Sequence, residues 1–385
     1  MTNLSLYIHI PFCLQKCRYC DFYSVPGGDP LVISRYIDAI GREWGIYEDS
    51  GVLGNAAINT VYVGGGTPSA LDLDMWGRLE EALFSRINKS TIREWSVECN
   101  PESFTIEKGR MYAKSGATRL TFGVQSLNAR ELSVCGRAHS AEKAIEALGD
   151  ERLDGLFDSI GADIIYALPG QTADTLDNTL SAILSIPRVK HLSAYELTVA
   201  DGTPFGRHKK MLPLPSEESA AEMYELIGNR CTERGMGQYE VSNYALAGFE
   251  SIHNRAYWSH KPYIGLGASA HSYIHPKRWS NAAGIERYIS AVSTGTLINN
   301  AVDFEETLTP LELSREIIFL GLRGIDGIDE DDFAARTGIS FCPEGRKEIL
   351  RGYVGSGLLK NSDKKWTPTP RGMLFADMMA RELML

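Results

Sequence analysis

The sequence predicts an α/β protein in which a partial, TIM-like (β/α)6 barrel is followed by a smaller, mostly helical, winged-helix-like domain. Short runs rich in β-branched and aromatic residues alternate with stretches whose apolar residues recur at helical spacing. Such alternation is typical of parallel strands joined by crossover helices. A chain of 385 residues is also long for one hydrophobic core, so a large domain and a smaller one are expected.

Six strands are predicted in the first half of the chain. They are Ser5–Ile10, Thr60–Gly64, Trp95–Cys99, Leu120–Gln125, Ala162–Leu168 and His191–Thr198. Between them, helical periodicity predicts Leu31–Tyr47, Asp74–Ile87 and Thr175–Ile186. Functional sites on barrels of this kind lie at the carboxyl ends of the strands.

The second half of the chain lacks this alternation of strands and helices. Pro213 and Pro215 mark a linker before a helix at Glu217–Arg234, and a segment rich in glycine and aromatic residues covers Gly237–Asn281. The predicted elements that follow are the helices Pro310–Leu322, Asp331–Arg336 and Gly345–Gly355, a turn at Asn361–Lys365 and a last helix from Gly372. Helices with one hairpin at this size resemble a winged-helix module. We expect the barrel at residues 1–205, a barrel extension or connecting region that contains His253–Trp258 at 206–303, and the winged-helix-like domain at 304–385.

Charge and hydropathy exclude several classes of function. The net charge is −10, whereas a nucleic-acid-binding surface needs a basic footprint, so no nucleic-acid partner is expected. The stretch Ser50–Leu71 has no charged residue, but its asparagines, proline and five glycines make it a poor membrane span. The start of the chain lacks the pattern of a signal peptide. We expect a cytoplasmic protein that is not transmembrane and whose membrane contact is at most peripheral.

Three of the seven cysteines form a C-x3-C-x2-C pattern at Cys13, Cys17 and Cys20. In a protein that is not secreted, such a group predicts a metal or redox site rather than disulfides. A structural zinc ion takes four ligands, and no second pair of cysteines follows, although His9 is close. Three thiolates on a [4Fe-4S] cluster leave one iron open to a small molecule. The pattern therefore favours the cluster, with zinc as the alternative.

Polar residues and glycines recur where the predicted strands end. The loop Gly64-Gly65-Gly66-Thr67-Pro68 lacks the Lys-Ser/Thr of a phosphate loop, so it is either a tight turn or a close backbone approach to a ligand. Glu98 could accept from an ammonium group, and Arg137 could clamp a carboxylate. Gln125 and Asp163 are further polar residues near predicted strand ends. Each of these residues alone is more often a surface or ion-pair group, but their shared position indicates one site.

A C-x3-C-x2-C pattern after a first barrel strand resembles the radical S-adenosylmethionine (SAM) superfamily. The resemblance implies that the cluster splits the SAM sulfonium and releases a 5′-deoxyadenosyl radical. It also implies an aromatic residue between the last two cysteines, which is Tyr19 here, and a glycine loop beside the methionine amino group, with Gly65, Gly66 and Thr67. The implied remainder of the SAM pocket consists of Glu98, Gln125, Arg137 and Asp163.

Further motifs resemble the oxygen-independent coproporphyrinogen III oxidases and their relatives. These motifs are Tyr7-Ile8-His9-Ile10-Pro11-Phe12-Cys13, Gly64–Pro68, Phe122–Ser126, Leu168–Thr172, Leu192–Phe205, His253–Trp258, Tyr263–His271, Phe319–Arg323 and Leu358–Gly372. The resemblance covers nearly the whole chain and adds Tyr7 to the candidate cofactor-binding residues.

Two branches of this group differ in their motifs. The oxidase has a fourth cysteine two residues after the third and a longer segment before the first strand, whereas Phe22 stands at the cysteine position here. The haem chaperone (HemW-type) branch has Cys-Asp-Phe in this place and an H-N-x-x-Y-W motif, found here at His253–Trp258. The resemblance thus implies haem binding and transfer to acceptors such as respiratory-chain components, without catalytic residues. The oxidase, and a radical SAM enzyme with an unrelated substrate, remain the alternatives.

His253 is the candidate haem ligand, because imidazole suits iron and the motif adds Tyr257 and Trp258 as possible porphyrin contacts. A histidine is also commonly a hydrogen-bonding residue of the core, and aromatic residues are commonly core residues. His260, His271 and His275 are the competing candidates.

Overall fold

Parallel strands joined by helices form the first half of the protein, as the sequence predicts. The computed structural model describes residues 3–295 and 302–384. Its strands are β1 (Asn3–Ile10), β2 (Phe12–Cys13), β3 (Val25–Pro26), β4 (Ala57–Gly65), β5 (Glu94–Cys99), β6 (Arg119–Gln125), β7 (Ser159–Tyr166), β8 (Val189–Glu196), β9 (Gly237–Glu240), β10 (Asn243–Ala245), β11 (Tyr263–Leu266), β12 (His271–Ile274), β13 (Lys277–Asn281), β14 (Val302–Thr307), β15 (Ile328–Asp329), β16 (Leu359–Ser362) and β17 (Lys365–Pro368). Strands β1, β4, β5, β6, β7 and β8 are neighbours in that order, and every adjacent pair is parallel.

The helices follow the strands and begin mostly at capping side chains. They are α1 (Pro30–Ser50), α2 (Leu73–Ala82), α3 (Ile106–Ser115), α4 (Ala129–Cys135), α5 (Ala141–Gly149), α6 (Ala173–Leu184), α7 (Pro204–Arg207), α8 (Glu217–Glu233), α9 (Ile252–Trp258), α10 (Ile285–Ser293), α11 (Pro310–Gly321), α12 (Glu330–Thr337), α13 (Glu344–Gly355), α14 (Pro370–Leu374) and α15 (Ala376–Leu383). Thr172 and Thr309 form capping boxes at the starts of α6 and α11, which satisfies backbone amides that lack partners within the helix.

The connecting region continues the barrel sheet at both of its edges, through strands that the sequence did not predict individually. Strand β11 adds a seventh parallel strand beside β1, followed by antiparallel β12, β13 and β14, while β10 and β9 continue the sheet beyond β8. An incomplete barrel leaves unpaired backbone groups on its two edge strands, and these additions pair them. Strand β11 is hard to predict from the sequence because it contains Gly265, a residue that is uncommon in strands. A Cβ at Gly265 would lie 2.2 Å from the His271 carbonyl oxygen, so the structure requires glycine at this position.

The chain ends in the predicted winged-helix-like arrangement. Helices α11, α12 and α13 pack around a small antiparallel sheet in the order β15-β17-β16. Their shared core includes Leu313, Ile318, Phe333, Leu350 and Trp366. The ranges expected for the three domains stay a prediction, because the connecting region and the barrel share one sheet.

The barrel core consists of strand residues such as Leu6, Ile8, Val61 and Val97 packed beneath the helices. The carboxyl ends of the strands are therefore held at one rigid rim. In the part of the chain that the structure describes, no helix has both the length and the apolar composition needed to cross a membrane.

Candidate functional site

The three clustered cysteines lie in a loop at the rim of the barrel. Cys13 is buried at the end of β2, while Cys17 and Cys20 are half-buried. The short β2–β3 pair closes this loop by placing Cys13 opposite Pro26. Burial raises the pKa of the Cys13 and Cys20 thiols, and the neighbouring thiols raise it further. Among the described residues, no three His, Cys, Asp or Glu side chains converge closely enough to share one metal ion.

A chain of hydrogen bonds joins two of these cysteines through residues of three other loops. The Thr67 hydroxyl donates to the sulfur of Cys13 (3.4 Å) and accepts from the side-chain amide of Asn100 (3.0 Å). Arg137 donates to the side-chain oxygen Oδ1 of Asn100 (2.9 Å) and to the sulfur of Cys17 (3.3 Å). Both sulfurs therefore receive a hydrogen bond from a fixed donor.

Arg137 is held firmly in this position. Its side chain is 4% exposed, and Nη2 also donates to the Gly123 carbonyl oxygen (2.7 Å). The Glu102 carboxylate lies 3.9 Å away and is fixed by His139 at 3.1 Å. The Nε atom is buried without a partner among the described residues. The guanidinium thus points at Cys17, and the predicted clamp on a ligand carboxylate stays a prediction.

The glycine loop packs closely against the first strand. A Cβ at Gly65, where φ is +109°, would lie 2.3 Å from Nδ1 of His9. A Cβ at Gly66 would lie 2.7 Å from the backbone carbonyl carbon of Pro11. Glycine is required here because the protein's own chain fills the space that a side chain would need. The Gly65 amide is thereby aimed at the Glu98 carboxylate, to which it donates at 3.1 Å.

Glu98 and Gln125 lie at the carboxyl ends of β5 and β6, as predicted, whereas Asp163 lies within the neighbouring β7, three residues before its end and opposite Gly123. Glu98 accepts from the Tyr62 hydroxyl at 2.7 Å, and burial raises the pKa of its carboxyl group. Burial also raises the pKa of Asp163, to about 7, and its Oδ1 is buried without a hydrogen-bond partner among the described residues. Gln125 adopts a φ of +65°, which is strained for a residue other than glycine. Such strain is common at functional sites.

A cavity of about 820 Å³ opens beside the cysteine loop. Four of the predicted site residues line it, namely Tyr7, Gly65, Glu98 and His253. Phe22 from the cysteine loop lies along the same cavity and is 64% exposed. The other predicted residues lie outside the lining of this cavity: Cys13, Cys17, Cys20, Tyr19, Gly66, Thr67, Gln125, Arg137 and Asp163. Tyr19 instead packs near Cys135, Ile165 and Leu168.

Aromatic rings follow one another along the cavity wall. Tyr7 stacks on Tyr62 with 6.2 Å between ring centroids, and Tyr62 lies 5.1 Å from the ring of His253. The series continues through Tyr257 at 4.8 Å and Tyr263 at a further 4.7 Å. It leads from the middle of β1 and β4 to Tyr263 on β11, which packs against the core of the C-terminal domain. A flat aromatic ligand would find suitable surfaces along its length.

His253 is fully enclosed on α9, and both of its ring nitrogens have partners. The Thr60 hydroxyl donates to Ser5 (2.9 Å), so Nδ1 of His253 donates to Thr60 (2.8 Å) and Nε2 accepts from the Tyr257 hydroxyl (3.0 Å). Burial lowers the pKa of His253 to about 3, which keeps the ring neutral. Its assignment as a haem ligand stays a prediction. Trp258 lies along a different cleft.

The sequence did not single out Asn100, Tyr62 or Glu94. Asn100 directly follows β5, the third of the six predicted strands, so the strand-end rule that selected Glu98 could have found it. Tyr62 is in the middle of β4 and reads as an ordinary strand residue. Glu94 begins β5 and accepts from the backbone amides of Ile252 (2.8 Å) and His253 (3.0 Å), a long-range contact without a sequence signal.

Comparisons with known proteins agree with this architecture. Residues 7–183 match the model of the radical SAM superfamily, and residues 308–375 match that of the HemN C-terminal domain. "Heme chaperone HemW" of Bacillus subtilis is 34% identical over 97% of both chains. The protein of the same name from Lactococcus lactis is 33% identical, over 99% of this chain and 97% of that one.

A solved structure shares the fold. Coproporphyrinogen III oxidase (HemN) from Escherichia coli, described as a radical SAM enzyme, superposes with a TM-score of 0.83, covering 99% of this chain and 90% of the oxidase. The two sequences are 22% identical, so this likeness concerns the fold alone. The full-length identity to the chaperones is higher. The chain therefore belongs to the radical SAM superfamily and, within it, to the family of the proteins named heme chaperone HemW.

Proposed function

We propose that the protein binds haem and passes it to haem-accepting proteins, and that it carries a [4Fe-4S] cluster and SAM beside the haem site. The observation that carries this proposal is the cavity of about 820 Å³ lined by successive aromatic rings next to the cysteine loop. Its volume is within the range of about 300–1,000 Å³ that is usual for cofactor sites. The relatives named heme chaperone support the same function.

The residues around the cysteine loop suit a cluster held by thiolates. Each cysteine of such a cluster ligates a different iron, so Cys13, Cys17 and Cys20 need not converge on one point. Arg137 and Thr67 donate to two of the sulfurs, which favours the charged thiolate over the thiol. When bound, the cluster and SAM would supply one-electron chemistry that side chains cannot perform.

The polar strand ends suit SAM. Burial raises the pKa of the Glu98 carboxyl group and so favours its neutral form. An ammonium group of a bound ligand beside Glu98 would lower this pKa and favour the ionised carboxylate. The unpartnered Oδ1 of Asp163 is a natural acceptor for a ribose hydroxyl. Gln125, held in a strained conformation next to Gly123 and Arg137, would be oriented toward the same ligand.

Phe22 favours the chaperone over the oxidase. In the oxidase this position carries a cysteine, whereas here an exposed phenyl group lines the cavity. The second candidate function, oxidation of coproporphyrinogen III, is favoured by the match of residues 308–375 to the HemN C-terminal domain. A porphyrin would suit the cavity in either case, so the two functions differ in whether the bound tetrapyrrole is changed.

Parallel assays on one preparation separate these functions. After anaerobic reconstitution of the cluster, we expect haem to produce a saturable Soret change, measured against the same protein without haem. We expect no SAM-dependent loss of coproporphyrinogen III. Addition of apomyoglobin as a haem sink should then yield holomyoglobin faster than haem release from serum albumin does. SAM-dependent formation of protoporphyrinogen would replace this proposal with the oxidase.

A further inference from the structure

We propose that His271, rather than His253, is the protein ligand of the haem iron in the cavity. The inference rests on the proposed haem-chaperone function. Four histidines line the cavity in the described part of the chain, namely His9, His253, His260 and His271. A neutral imidazole can bind iron only through the nitrogen whose lone pair is unoccupied.

Neither ring nitrogen of His9 has a lone pair that is free to bind iron. Its Nε2 lies 2.8 Å from the Tyr23 carbonyl oxygen, which can only accept, so Nε2 must carry the proton. Its Nδ1 lies 3.0 Å from the Tyr7 hydroxyl and therefore accepts from it. Burial lowers the pKa of His9, so the ring is neutral and both nitrogens are committed.

Both ring nitrogens of His260 likewise take part in hydrogen bonds. Its Nε2 lies 2.8 Å from the Glu316 carboxylate, and Nδ1 accepts from the Arg336 guanidinium at 2.9 Å. The side chain is 5% exposed, so iron could not approach without displacing Arg336. In His253, the acceptor nitrogen is occupied by the Tyr257 hydroxyl on the same helix. Coordination by either residue would first break a buried hydrogen bond.

His271 differs from the other three. It begins β12, its side chain is exposed to the cavity, and its ring makes no hydrogen bond with any residue that the structure describes. Its backbone is fixed by pairing with Ser280 on β13. Partial burial and the nearby Arg278 lower the pKa of His271, which favours the neutral ring that coordinates metals.

The surroundings of His271 suit a porphyrin. Alternation along β12 places His271 and Tyr273 on the same face of the strand, and both line the cavity. Tyr273 lies 6.4 Å from Tyr263, which ends the aromatic series described above. Lys261 lines the same cavity and forms no ion pair among the described residues, so it can face an anionic propionate.

The test compares two ligands on three variants of the full-length, reconstituted protein. Haem and metal-free protoporphyrin IX share the porphyrin ring and propionates, but only haem can form a bond to a histidine. For His271→Ala we expect at least tenfold weaker haem binding, a shifted Soret band and unchanged affinity for protoporphyrin IX. Exogenous imidazole should restore the wild-type spectrum. Because His253 lines the cavity, His253→Ala should weaken haem and protoporphyrin IX binding equally, while the Soret band keeps its position. His208→Ala, which changes an exposed histidine outside the cavity, should alter neither the affinity nor the spectrum.

The possible failures are distinguishable. If the wild-type protein did not bind haem, the proposed haem-chaperone function itself would be refuted. A wild-type Soret band and affinity in His271→Ala would overturn this inference and leave the function standing. Equal losses of haem and protoporphyrin IX in His271→Ala would also overturn it, because the histidine would then shape the cavity rather than bind iron. Loss of the spectrum in His253→Ala alone would assign the ligand to His253.

Discussion

The guanidinium of Arg137 lies 3.3 Å from the sulfur of Cys17, although 120 positions separate the two residues. Asn100 and the Gly123 carbonyl oxygen fix the same guanidinium, and its side chain is almost completely buried. A permanent positive charge is therefore held against one of the three candidate cluster ligands. Hydrogen bonds and charges at cysteine sulfurs tune the reduction potential of iron–sulfur clusters.

Replacement of Arg137 should make the cluster harder to reduce. A charge-assisted hydrogen bond contributes about 1.5–3 kcal/mol, and 59 mV corresponds to about 1.4 kcal/mol for one electron. We expect Arg137→Gln to lower the potential by roughly 60–130 mV in a redox titration followed by electron paramagnetic resonance. Arg130→Gln, at an exposed arginine, is the control. An unchanged potential with an intact cluster would show that Arg137 does not act on Cys17.

The same variant tests the predicted SAM clamp. If Arg137 also binds the SAM carboxylate, its loss should weaken SAM binding by about 2–5 kcal/mol, since a buried charge-assisted pair is broken. Calorimetric titration of the reconstituted protein measures this directly. Equal affinity in the wild type and Arg137→Gln would restrict Arg137 to its contact with Cys17.

Loss of one clustered cysteine should prevent stable cluster binding, whereas loss of a cysteine elsewhere should not. Anaerobic reconstitution of the wild type is expected to yield about four irons and four sulfides per chain. Cys17→Ala should lose most of both, and Cys342→Ala, at a partly exposed cysteine of the C-terminal domain, should keep them. A complete, stable cluster in Cys17→Ala would refute the assignment.

Glu94 anchors the helix that carries His253, and its removal should destabilise the protein. Its carboxylate accepts from the Ser251 hydroxyl at 2.9 Å as well as from two backbone amides of α9, and the buried Arg119 lies 3.7 Å away. Breaking a buried ion pair by removing one partner costs about 3–5 kcal/mol. We expect Glu94→Ala to lower the free energy of unfolding by that amount in urea titrations.

The matched control for Glu94 is Glu286→Ala. Glu286 pairs with Arg35 on the surface, where both side chains are more than half exposed. Exposed ion pairs contribute about 0–1 kcal/mol, so this change should have little effect. Similar losses in both variants would contradict the anchoring role of Glu94.

Glu240 should make stability fall as the pH rises. Its side chain is 1% exposed, and burial raises the pKa of its carboxyl group from 4.5 to about 7. Between these two values the folded protein holds a proton that the unfolded chain has released, so the free energy of unfolding decreases with increasing pH. The decrease from this group is at most about 3 kcal/mol and ends above pH 7.

Glu240→Gln should remove this part of the pH dependence. Oε1 of Glu240 accepts from the Ser242 amide (3.0 Å) and from Asn243, while Oε2 is buried without a partner among the described residues. A glutamine keeps the accepting oxygen and places its amide where Oε2 was. We expect the difference in urea midpoint between pH 5 and pH 8 to shrink in the variant. An equal difference in both proteins would show that Glu240 titrates normally.

The local patterns of the sequence determined most of the architecture. Alternating periodicities indicated the six parallel strands β1, β4, β5, β6, β7 and β8 and three of the helices between them, α1, α2 and α6, because side-chain spacing reflects which face is buried. The short strands β2 and β3 and the helices α3, α4 and α5 were not predicted. The cysteine spacing marked the loop at the rim, since ligands of one cluster lie close along the chain. The strand-end rule selected Glu98 and Gln125, which the structure places at neighbouring strand ends, and Asp163, which lies three residues before the end of β7.

Only the tertiary structure decided how distant residues meet. The partners of Cys17 and of His253 come from segments far away in the chain, and no periodicity records such contacts. The sequence could rank His253 first among the histidines by its motif. It could not show that both of its ring nitrogens have partners, whereas the ring of His271 has none among the residues that the structure describes. The sequence shows which residues are histidines. Whether a ring nitrogen of a histidine has a free lone pair depends on which atoms folding brings within hydrogen-bond distance of it.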